Sequence, residues 1–341
     1  MNNVAIVILN WNGKNYLEQF LEKVILYSND CRIIVADNAS TDDSVSFIKT
    51  NFPQVEIILN NENGGFAKGY NDALKQVDSE FYLLLNSDIE VTPGWVLPLM
   101  KQMENPLVAG CQPKVVSYHD KTSFEHAGAS GGYLDRNYYP FCRGRILEKI
   151  EKDEGQYNGI TEIFWATGAA LLIRSDLYHK VGGLDEAFFA HMEEIDLCWR
   201  LKKQGYSFMI APESVIYHVG GGTLPYTSPK KIYLNFRNSL FMIVKNHEGI
   251  LLFKMIYRMI LDGIAAFRFL LRGEFQNFGS VLNAHGAMYV RLGILLKQRK
   301  QIKATRTNFN SKGWYKGSIL WARYFKGITR FKDLNQRLFE D

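Results

Sequence analysis

Short apolar runs alternate with helix-like stretches over the first ninety residues. Strands are predicted at 4–9, 32–37, 55–59 and 81–85. Apolar positions at helical spacing predict helices at 14–26, 40–48 and 66–77, the second opened by a capping box of Ser40 and Asp43. Continuous apolar runs are typical of strands covered on both faces. The alternation therefore predicts a parallel, doubly wound α/β sheet.

The middle of the chain, about 105–225, is less regular. An apolar run at 169–173 predicts a further strand, and another strand-like run lies at 214–217. The stretch 188–204 predicts a helix with an acidic first turn, and Gly205 is placed to end it as a C′ residue.

Polar side chains follow the four predicted strands of the first ninety residues. The segments are 10–13, 37–38, 60–61 and 86–88. Ligands of such sheets bind beyond the carboxyl ends of the strands, so these segments predict the site. The sequence contains neither G-x-G-x-x-G after the first strand nor G-x-x-x-x-G-K-[ST], which argues against a dinucleotide cofactor in the usual mode and against a P-loop enzyme.

Two carboxylates stand at strand ends. Asp88 is placed to be exposed yet rigidly held, which suits a divalent cation that also grips phosphates. Asp37 could accept a hydrogen bond from a pyrimidine or a ribose hydroxyl. An isolated Asp in either place more often starts a turn or caps a helix, but two on one sheet edge favour a site.

Two glycine-rich segments could also carry function. Gly64 and Gly65 open a predicted helix, where backbone N–H groups can bind phosphate and Lys68 adds positive charge, although Gly-Gly turns are common. His218 is followed by glycines at 220–222 and is a candidate metal ligand or phosphate partner. A lone His is usually structural.

The acidic segment 193–200 is the most informative part of the chain. Asp196 and Arg200 are four residues apart and can pair on a helix surface. Glu193 and Glu194 fall in the first turn, where the helix dipole favours carboxylates even without function. Aromatic neighbours such as Trp199 make the surroundings apolar, so a carboxylate here could act as a general base.

Composition narrows the class of protein. With 341 residues, 47% apolar and 22% charged, the chain is globular rather than disordered or fibrous. Four cysteines without a C-x-x-C pair suggest neither a disulfide framework nor a zinc knuckle. The first residues lack the basic region of a secretory signal, so a reducing, cytoplasmic setting is expected.

Charge is distributed unevenly. Residues 1–228 carry 19 Lys and Arg against 29 Asp and Glu, a net of −10, whereas residues 229–341 carry 21 against 6, a net of +15. This asymmetry predicts that the two parts of the chain have different functions. Either the basic part docks on the acidic part, or it meets an anionic surface.

The apolar stretch 251–271 belongs to the basic part. It is interrupted by Lys254, Arg258, Asp262 and Arg268, too many charges for a lone spanning helix. Amphipathic helices at a membrane surface, with Lys and Arg reaching the lipid head groups and aromatic residues of 314–325 at the interface, are the favoured prediction. A helical bundle packed on the catalytic part or on a second subunit is the alternative, and nucleic acid is not expected as a partner.

Seven ordered motifs over about residues 1–245 resemble the family 2 glycosyltransferases, in particular the bacterial branch with rhamnosyltransferases. The motifs lie at 7–12, 35–40, 63–67, 85–88, 183–186, 188–200 and 217–222. The resemblance implies a GT-A fold, a Rossmann-like α/β architecture with a mostly parallel sheet flanked by helices. It covers a catalytic domain at 1–228, with a nucleotide-sugar half at 1–105 and an acceptor half at 106–228. Residues 229–341 form a basic, mainly helical extension.

The resemblance also implies roles for individual residues. The nucleotide-sugar would be bound by Leu9, Asn10, Trp11, Asp37, Gly65, Lys68, Asn86 and Ser87. Asn86-Ser87-Asp88 stands where the family has D-x-D, so Asp88 would bind Mg²⁺ or Mn²⁺, with His218 as a further ligand. Glu194 would be the catalytic base, with Glu193 as the alternative. Contact with the acceptor or orientation of the site would fall to Trp165, Gly168, Asp196, Trp199 and Arg200. Two departures are Asn86 in place of the first Asp and Glu194 in place of a shorter Asp.

The implied function is inverting transfer of rhamnose or another hexose in cell-surface polysaccharide synthesis. The donor would be a dTDP- or UDP-sugar and the acceptor a hydroxyl of a glycan or lipid-linked glycan. The enzyme would be cytoplasmic and peripheral on the inner face of the membrane. One rival, a nucleotidylyltransferase, should have a Gly-rich basic signature after the first strand, which 10–13 lacks. The other is a non-catalytic binding protein in which Glu194 is structural.

Overall fold

A mixed sheet of nine strands forms the centre of the molecule. The computed structural model describes residues 3–28, 30–220 and 228–340. The strands of the large sheet are β1 Val4–Asn10, β2 Arg32–Asp37, β3 Glu56–Leu59, β4 Phe81–Asn86, β5 Ile89–Val91, β6 Val108–Ser117, β11 Thr161–Ile163, β12 Ala170–Arg174 and β13 Ser207–His218. A second, smaller sheet contains β7 Gly132–Asp135, β8 Pro140–Cys142, β9 Arg145–Ile146, β10 Lys149–Ile150 and β14 Trp314–Tyr315.

Helices cover the large sheet and make up most of the C-terminal part. They are α1 Lys14–Tyr27, α2 Ser44–Asn51, α3 Gly65–Leu74, α4 Val96–Met103, α5 Ser175–Lys180, α6 Glu193–Lys202, α7 Pro229–Asn246, α8 Leu251–Leu271, α9 Phe275–Ala304 and α10 Ile319–Tyr324. Short 3₁₀ turns lie at Glu186–Phe188, Phe331–Asp333 and Gln336–Leu338.

The large sheet combines four parallel and four antiparallel strand pairings. Its order is β11-β13-β6-β12-β4-β1-β2-β3, with β5 paired to β13. The four strands expected in the first ninety residues pair in parallel, β3 with β2, β2 with β1 and β1 with β4. The strand expected at 169–173 is β12, which lies antiparallel between β4 and β6. The predicted α/β class is therefore confirmed.

Burial follows the pattern in the sequence. Residues Val4 to Ile8 of β1 are at most 2% exposed, as a strand covered on both faces requires. The face of α1 that spacing assigned to the core is the buried one, formed by Leu17, Phe20, Leu21 and Val24.

Two helix predictions near the site are corrected. The helix expected at 188–204 begins only at Glu193, because Phe189, His191 and Met192 adopt positive φ angles of 65°, 72° and 74°. The capping box at Ser40 does not form, since α2 begins at Ser44. Gly205 does close α6, with its N–H donating to Lys202 and the next N–H donating to the carbonyl of Leu201.

The C-terminal part shares the core of the rest of the chain. Leu240 to Val244 of α7 are fully buried in the same cluster as the large sheet. Strand β14 pairs with β7 through Trp314 and Leu134. The boundary at 228/229 stays a prediction, and the structure adds that α7 and β14 complete layers begun by earlier residues.

The orientation of α8 differs from the sequence prediction. Arg258 and Asp262 are 4% and 0% exposed and form an ion pair of 2.8 Å inside the protein. Arg258 therefore does not reach a lipid head group, and the outward side of the helix is apolar. Within the residues described here, no helix has the length and apolar character needed to cross a membrane.

Candidate functional site

The carboxyl ends of β1, β2 and β4 meet at one edge of the sheet. Asn10 is in register with Asp37, and Leu9 with Asn86. The polar segments that the sequence placed at strand ends are thus neighbours in space, because parallel strands end on the same side.

Asp37 ties two of these ends together. Its Oδ2 accepts from the Asn10 side-chain amide at 3.0 Å, and its Oδ1 accepts from the Ser40 N–H at 2.9 Å. The Ser40 hydroxyl, predicted to cap a helix, instead accepts from the N–H of Asn12 at 2.9 Å. Asp37 is only 3% exposed, whereas the Trp11 ring is 46% exposed beside it. Direct contact of Asp37 with a nucleotide stays a prediction. At this end of the sheet, Trp11 offers the exposed side chain.

Asp88 and His218 come together because β5 pairs with the last residues of β13. Ile89 is in register with His218, so the carboxylate of Asp88 lies next to the imidazole. His218 Nε2 is 3.2 Å from Asp88 Oδ1, and its Nδ1 is 3.1 Å from Oε2 of Glu125. All three residues are at most 9% exposed. The result is an imidazole between two carboxylates.

The charges of this cluster are strongly coupled. Burial acts to lower the pKa of His218, but the neighbouring carboxylates of Asp88 and Glu125 raise it to about 10. Burial acts in the opposite sense on Glu125, whose pKa the contact with His218 lowers. The site therefore favours one positive charge between Asp88 and Glu125.

Asp88 and His218 fit a divalent cation whose remaining ligands come from the substrate. Among the described residues, no three or more His, Cys, Asp or Glu side chains are arranged so that together they could hold a metal ion. Mg²⁺ sites of transferases often use one or two protein ligands together with substrate phosphates, which matches Asp88 and His218. Such an ion would supply the positive charge that a proton on His218 supplies in its absence. Of the glycines after His218, Gly221 and Gly222 lie outside the described residues.

Glu125 was not predicted from the sequence. It follows Phe124, which bridges to Val116 of β6, and β6 runs beside β13 up to Ser117 and His218. Its sequence neighbourhood carries no motif, and only the sheet brings it to the imidazole. A carboxylate on the far nitrogen of a metal-binding His is a common way to orient the ring.

The N-terminus of α3 is occupied by the protein itself. Phe66 donates its N–H to the Phe189 carbonyl at 2.7 Å, and Gly65 donates to the Asn63 side chain at 3.0 Å. Gly65 has φ +79°, and a Cβ there would lie 2.5 Å from the Phe189 oxygen. Lys68 pairs with Asp72 and lies 3.6 Å from a carboxylate oxygen of Glu62. The phosphate contact expected here therefore lacks free N–H groups at Gly65 and Phe66, and their observed role is to seat the loop that precedes α6.

Glu193 and Glu194 occupy the first turn of α6 as predicted. Glu193 is 3% exposed, and Glu194 is half-buried. The Oε2 atom of each is buried and has no hydrogen-bond partner among the described residues. Burial raises the pKa of Glu194 to about 7, and burial with repulsion from Glu194 raises the pKa of Glu193 well above its ordinary value. Buried carboxylates that lack donors are typical of functional sites rather than of stabilising ones.

Helix α7 holds the backbone that leads to these glutamates. The Asn238 side-chain amide lies within 2.9 Å of the carbonyl oxygens of Phe188, Ala190 and His191 and is placed to donate to them. Arg237 donates to the Phe188 carbonyl at 2.8 Å. Positive φ angles at non-glycine residues are costly and persist only where surrounding contacts fix them. Neither side chain was predicted, because α7 lies some forty residues beyond this loop.

Asp196 and Arg200 pair at 2.8 Å, as their spacing predicted. The pair is buried rather than on the helix surface, with Asp196 fully buried. Lys245 lies 2.9 Å from Asp196, and Asn246 donates to it at 2.7 Å. Although burial opposes it, Lys245 and Arg200 lower the pKa of Asp196. Asp196 thus anchors α6 to α7 and has no free oxygen for chemistry.

The two tryptophans proposed for the acceptor side are core residues. Trp165 is 4% exposed and donates to the Tyr133 carbonyl at 3.0 Å. Trp199 is 1% exposed, with its ring 5.0 Å from that of Tyr138. Neither ring is exposed for contact with an acceptor, so of the two predicted roles their burial is compatible with orientation of the site, which stays a prediction. Gly168 does face the site, since a Cβ there would lie 3.7 Å from the Cβ of Glu194.

A cavity of about 450 Å³ lies away from this cluster. It is lined by Asp185, Arg200, Lys245 and Gln298, together with further residues of α9 and of the 180–186 segment. Asp88, His218, Glu193 and Glu194 are not among its walls. The catalytic candidates therefore lie outside this cavity.

Comparison with known proteins agrees with the resemblance seen in the sequence. The family described as Glycosyl transferase family 2 matches residues 5–182, just over half of the chain. The N-acetylglucosaminyl-diphospho-decaprenol L-rhamnosyltransferase of Mycobacterium tuberculosis is 21% identical over 270 residues, covering 72% of this chain and 85% of that protein. Rhamnosyltransferase WbbL of Escherichia coli is 25% identical over 219 residues, covering 61% and 80%.

Solved structures show the same fold at low sequence identity. GalNAc-T7 with UDP, GalNAc and Mn²⁺ matches with a TM-score of 0.54 and 13% identity, covering 72% of this chain and 48% of that one. The mannosyltransferase PcManGT from Pyrobaculum calidifontis with GDP-Man and Mn²⁺ matches with 0.52 and 12%, covering 89% and 85%. These likenesses support the GT-A architecture.

Proposed function

This chain belongs to glycosyl transferase family 2 and is a glycosyltransferase, and on that premise we propose that it transfers rhamnose or another hexose by inversion. The donor is a dTDP- or UDP-linked sugar, and the acceptor is a hydroxyl of a glycan or lipid-linked glycan. Two relatives named as rhamnosyltransferases support the sugar class. The observation that carries the proposal is the buried Glu194 oxygen that has no hydrogen-bond partner among the described residues. The contact between Asp88 and His218 supports it on the donor side.

On the donor side, Asp88 and His218 hold Mg²⁺ or Mn²⁺, and Glu125 is a positioning residue for the imidazole. When bound there, the ion would neutralise the charge that develops on the leaving diphosphate. The exposed Trp11 ring is the surface for the base, and Asn10 and Asp37 keep its loop in place. Leu9, Asn86 and Ser87 lie on the same edge and complete the donor side of the proposal.

On the acceptor side, Glu194 is the general base. It takes the proton of the attacking hydroxyl while the new bond forms between that oxygen and the anomeric carbon. The bond from the anomeric carbon to the diphosphate oxygen breaks on the opposite face, and the electron pair leaves with the nucleoside diphosphate. A single displacement of this kind inverts the configuration and needs no second carboxylate as nucleophile.

Glu194 is favoured over Glu193 by its position. Glu194 is the more exposed of the two, and Gly168 lies next to it, where a Cβ would be 3.7 Å from the Glu194 Cβ. Glu193 is almost fully buried, and repulsion from Glu194 adds to burial in raising its own pKa. A base with a pKa near the working pH combines a useful fraction of carboxylate with good proton affinity.

The test of the proposal is binding of UDP and dTDP, each with and without Mn²⁺. Binding is measured as a rise of the thermal unfolding midpoint. We expect a metal-dependent rise with one of the two nucleotides, and the larger rise identifies the donor class. The Asp88→Ala variant should lose the metal-dependent part of the rise. If neither nucleotide raises the midpoint of the unmodified chain, the donor site is assigned wrongly.

A further inference from the structure

The outward side of α8 is apolar along its length except for Arg268. The exposed side chains are Leu252, Phe253, Ile256, Tyr257, Ile260, Ile264, Phe267 and Leu271, between 47% and 71% exposed. The inward side instead carries Met255, Arg258, Asp262 and Ala266. A helix of 21 residues is about 30 Å long, so this is a continuous apolar strip rather than scattered residues. Strips of this size mark interaction sites on protein surfaces.

Neighbouring helices extend the strip. The exposed apolar residues of α9 and α10 include Leu282, Tyr289, Val290, Ile294, Trp321, Tyr324 and Phe325. The Tyr289 hydroxyl donates to the Met259 sulfur of α8 at 3.4 Å. The Arg268 guanidinium of α8 lies 5.4 Å from the centre of the Tyr324 ring of α10. We call the exposed apolar residues of α8, α9 and α10 the apolar platform.

Positive charge borders the apolar platform. Residues 251–304 contain nine Lys and Arg against two Asp and Glu. Of the two acids, Asp262 is buried in its ion pair, and Glu274 is half-buried and accepts from Asn277. Exposed basic side chains lie at the end of α8 and along the second half of α9: Arg272, Arg291, Lys297, Lys300 and Lys303.

We propose that the apolar platform docks on an anionic lipid bilayer. Apolar and aromatic side chains would enter the boundary between head groups and acyl chains, while the bordering Lys and Arg bind anionic head groups. The charge argues against a second copy as the occupant, because a symmetric pair would bring two basic surfaces together. The inward pair of Arg258 and Asp262 stays inside the protein, so the helix lies on the bilayer rather than across it.

Docking there would also place the site at the membrane. Helix α8 packs on α7 and α9, and α7 holds the loop that leads to Glu194. A lipid-linked acceptor and the catalytic edge would then be held to the same surface. This consequence depends on the proposed function, but lipid binding itself is measured without donor or acceptor and can fail or hold independently of it.

The test is co-sedimentation of the full chain with phosphatidylcholine vesicles, with and without about a quarter of phosphatidylglycerol. We expect binding to the anionic vesicles that weakens at high salt. A variant with Ile256→Gln, Ile260→Gln and Ile264→Gln keeps good helix formers on α8 and should bind at least about a hundred-fold more weakly. Replacing Lys297 and Lys300 by Gln should reduce binding about five-fold per charge, and only on anionic vesicles.

The matched control replaces three equally exposed leucines elsewhere by Gln, at Leu59, Leu97 and Leu107, which are 58%, 58% and 61% exposed. It should bind like the unmodified chain, and circular dichroism should show all variants folded. Equal binding by the α8 variant and the control would overturn the proposal. So would a chain that ignores both vesicles and forms a dimer that the α8 variant abolishes, since the platform would then be a subunit interface.

Discussion

At the scale of single residues, the candidate site separates carboxylates that are already satisfied from those that are free. Asp37 and Asp196 each use both oxygens within the protein, which fixes loops and helices. Glu194 is different, because one of its oxygens is buried without a donor among the described residues. A group left without partners costs stability, and that cost is accepted where the group is needed for chemistry.

Glu194→Gln should reduce transfer about 10²–10⁴-fold, because the amide cannot take the proton of the acceptor hydroxyl. Binding of the donor nucleotide, followed by calorimetry, should change little. In the unmodified enzyme the carboxylate is the active form, and its pKa is raised to about 7 by burial. The turnover rate should therefore rise with pH below about 7 and level off above it. Glu193→Gln is the control, and a larger loss with it than with Glu194→Gln would reverse the assignment.

Glu125→Ala should weaken Mn²⁺ binding in the presence of nucleotide about 10–100-fold, since the imidazole of His218 loses the group that orients it. Glu125→Gln can still accept a hydrogen bond from the ring and should be milder. Titration calorimetry of Mn²⁺ measures this without turnover. The control is Glu213→Ala, at an exposed position of β13, the strand that carries His218. Unchanged Mn²⁺ affinity in Glu125→Ala would remove Glu125 from the site.

At the scale of elements, the important contact is between α7 and the backbone before α6. Three non-glycine residues with positive φ lie directly before Glu193 and Glu194, and α7 is placed to bind the carbonyls of this loop through Asn238 and Arg237. Helix α7 lies outside the residues 5–182 that match the family. The extension therefore contributes to the candidate site through packing against this loop.

Asn238→Asp keeps the shape of the side chain but removes the donor to the carbonyls of Ala190 and His191, whereas the Phe188 carbonyl keeps Arg237. We expect a lower turnover rate with nearly unchanged nucleotide binding, and a destabilisation of about 1–3 kcal/mol from the unsatisfied carbonyls. Steady-state kinetics and thermal unfolding measure the two effects. Asn283→Asp makes the same change at an exposed position of α9 and should affect neither. If Asn238→Asp retains full turnover, the loop is held well enough by its other contacts.

At the scale of the whole molecule, charge and packing divide the chain differently. Charge changes sign near residue 228, yet the core does not end there. The fully buried α7 residues share a cluster with the large sheet, and β14 adds an edge to the small sheet. Buried Lys245 also supplies charge to the buried Asp196 of α6. One side of the basic part therefore belongs to the core that it shares with the acidic part, and the other side carries the apolar platform.

Residues 1–228 alone should not show the cooperative thermal unfolding of the full chain. Removing α7 exposes the apolar surface under five fully buried side chains, Leu240 to Val244, and leaves Asp196 without Lys245. Losing one partner of a buried ion pair typically costs about 3–5 kcal/mol, a large part of the stability of a domain. Calorimetry of the two chains is the measurement. A cooperative transition of 1–228 near the midpoint of the full chain would instead establish 228 as a true domain boundary.

Sequence alone determined what depends on residues close together in the chain. Apolar periodicity located the strands and helices of the first ninety residues, and spacing paired Asp196 with Arg200 and ended α6 at Gly205. The meeting of the polar strand ends at one edge followed as well, because parallel strands end on one side. Tertiary structure alone decided which side chains are free or buried: Glu125 reaches His218 from 93 residues away, Asn238 reaches the loop before α6, and Trp165 and Trp199 turn into the core. It also set the apolar side of α8 outward, because the inward ion pair of Arg258 and Asp262 is satisfied only by packing that no local pattern specifies.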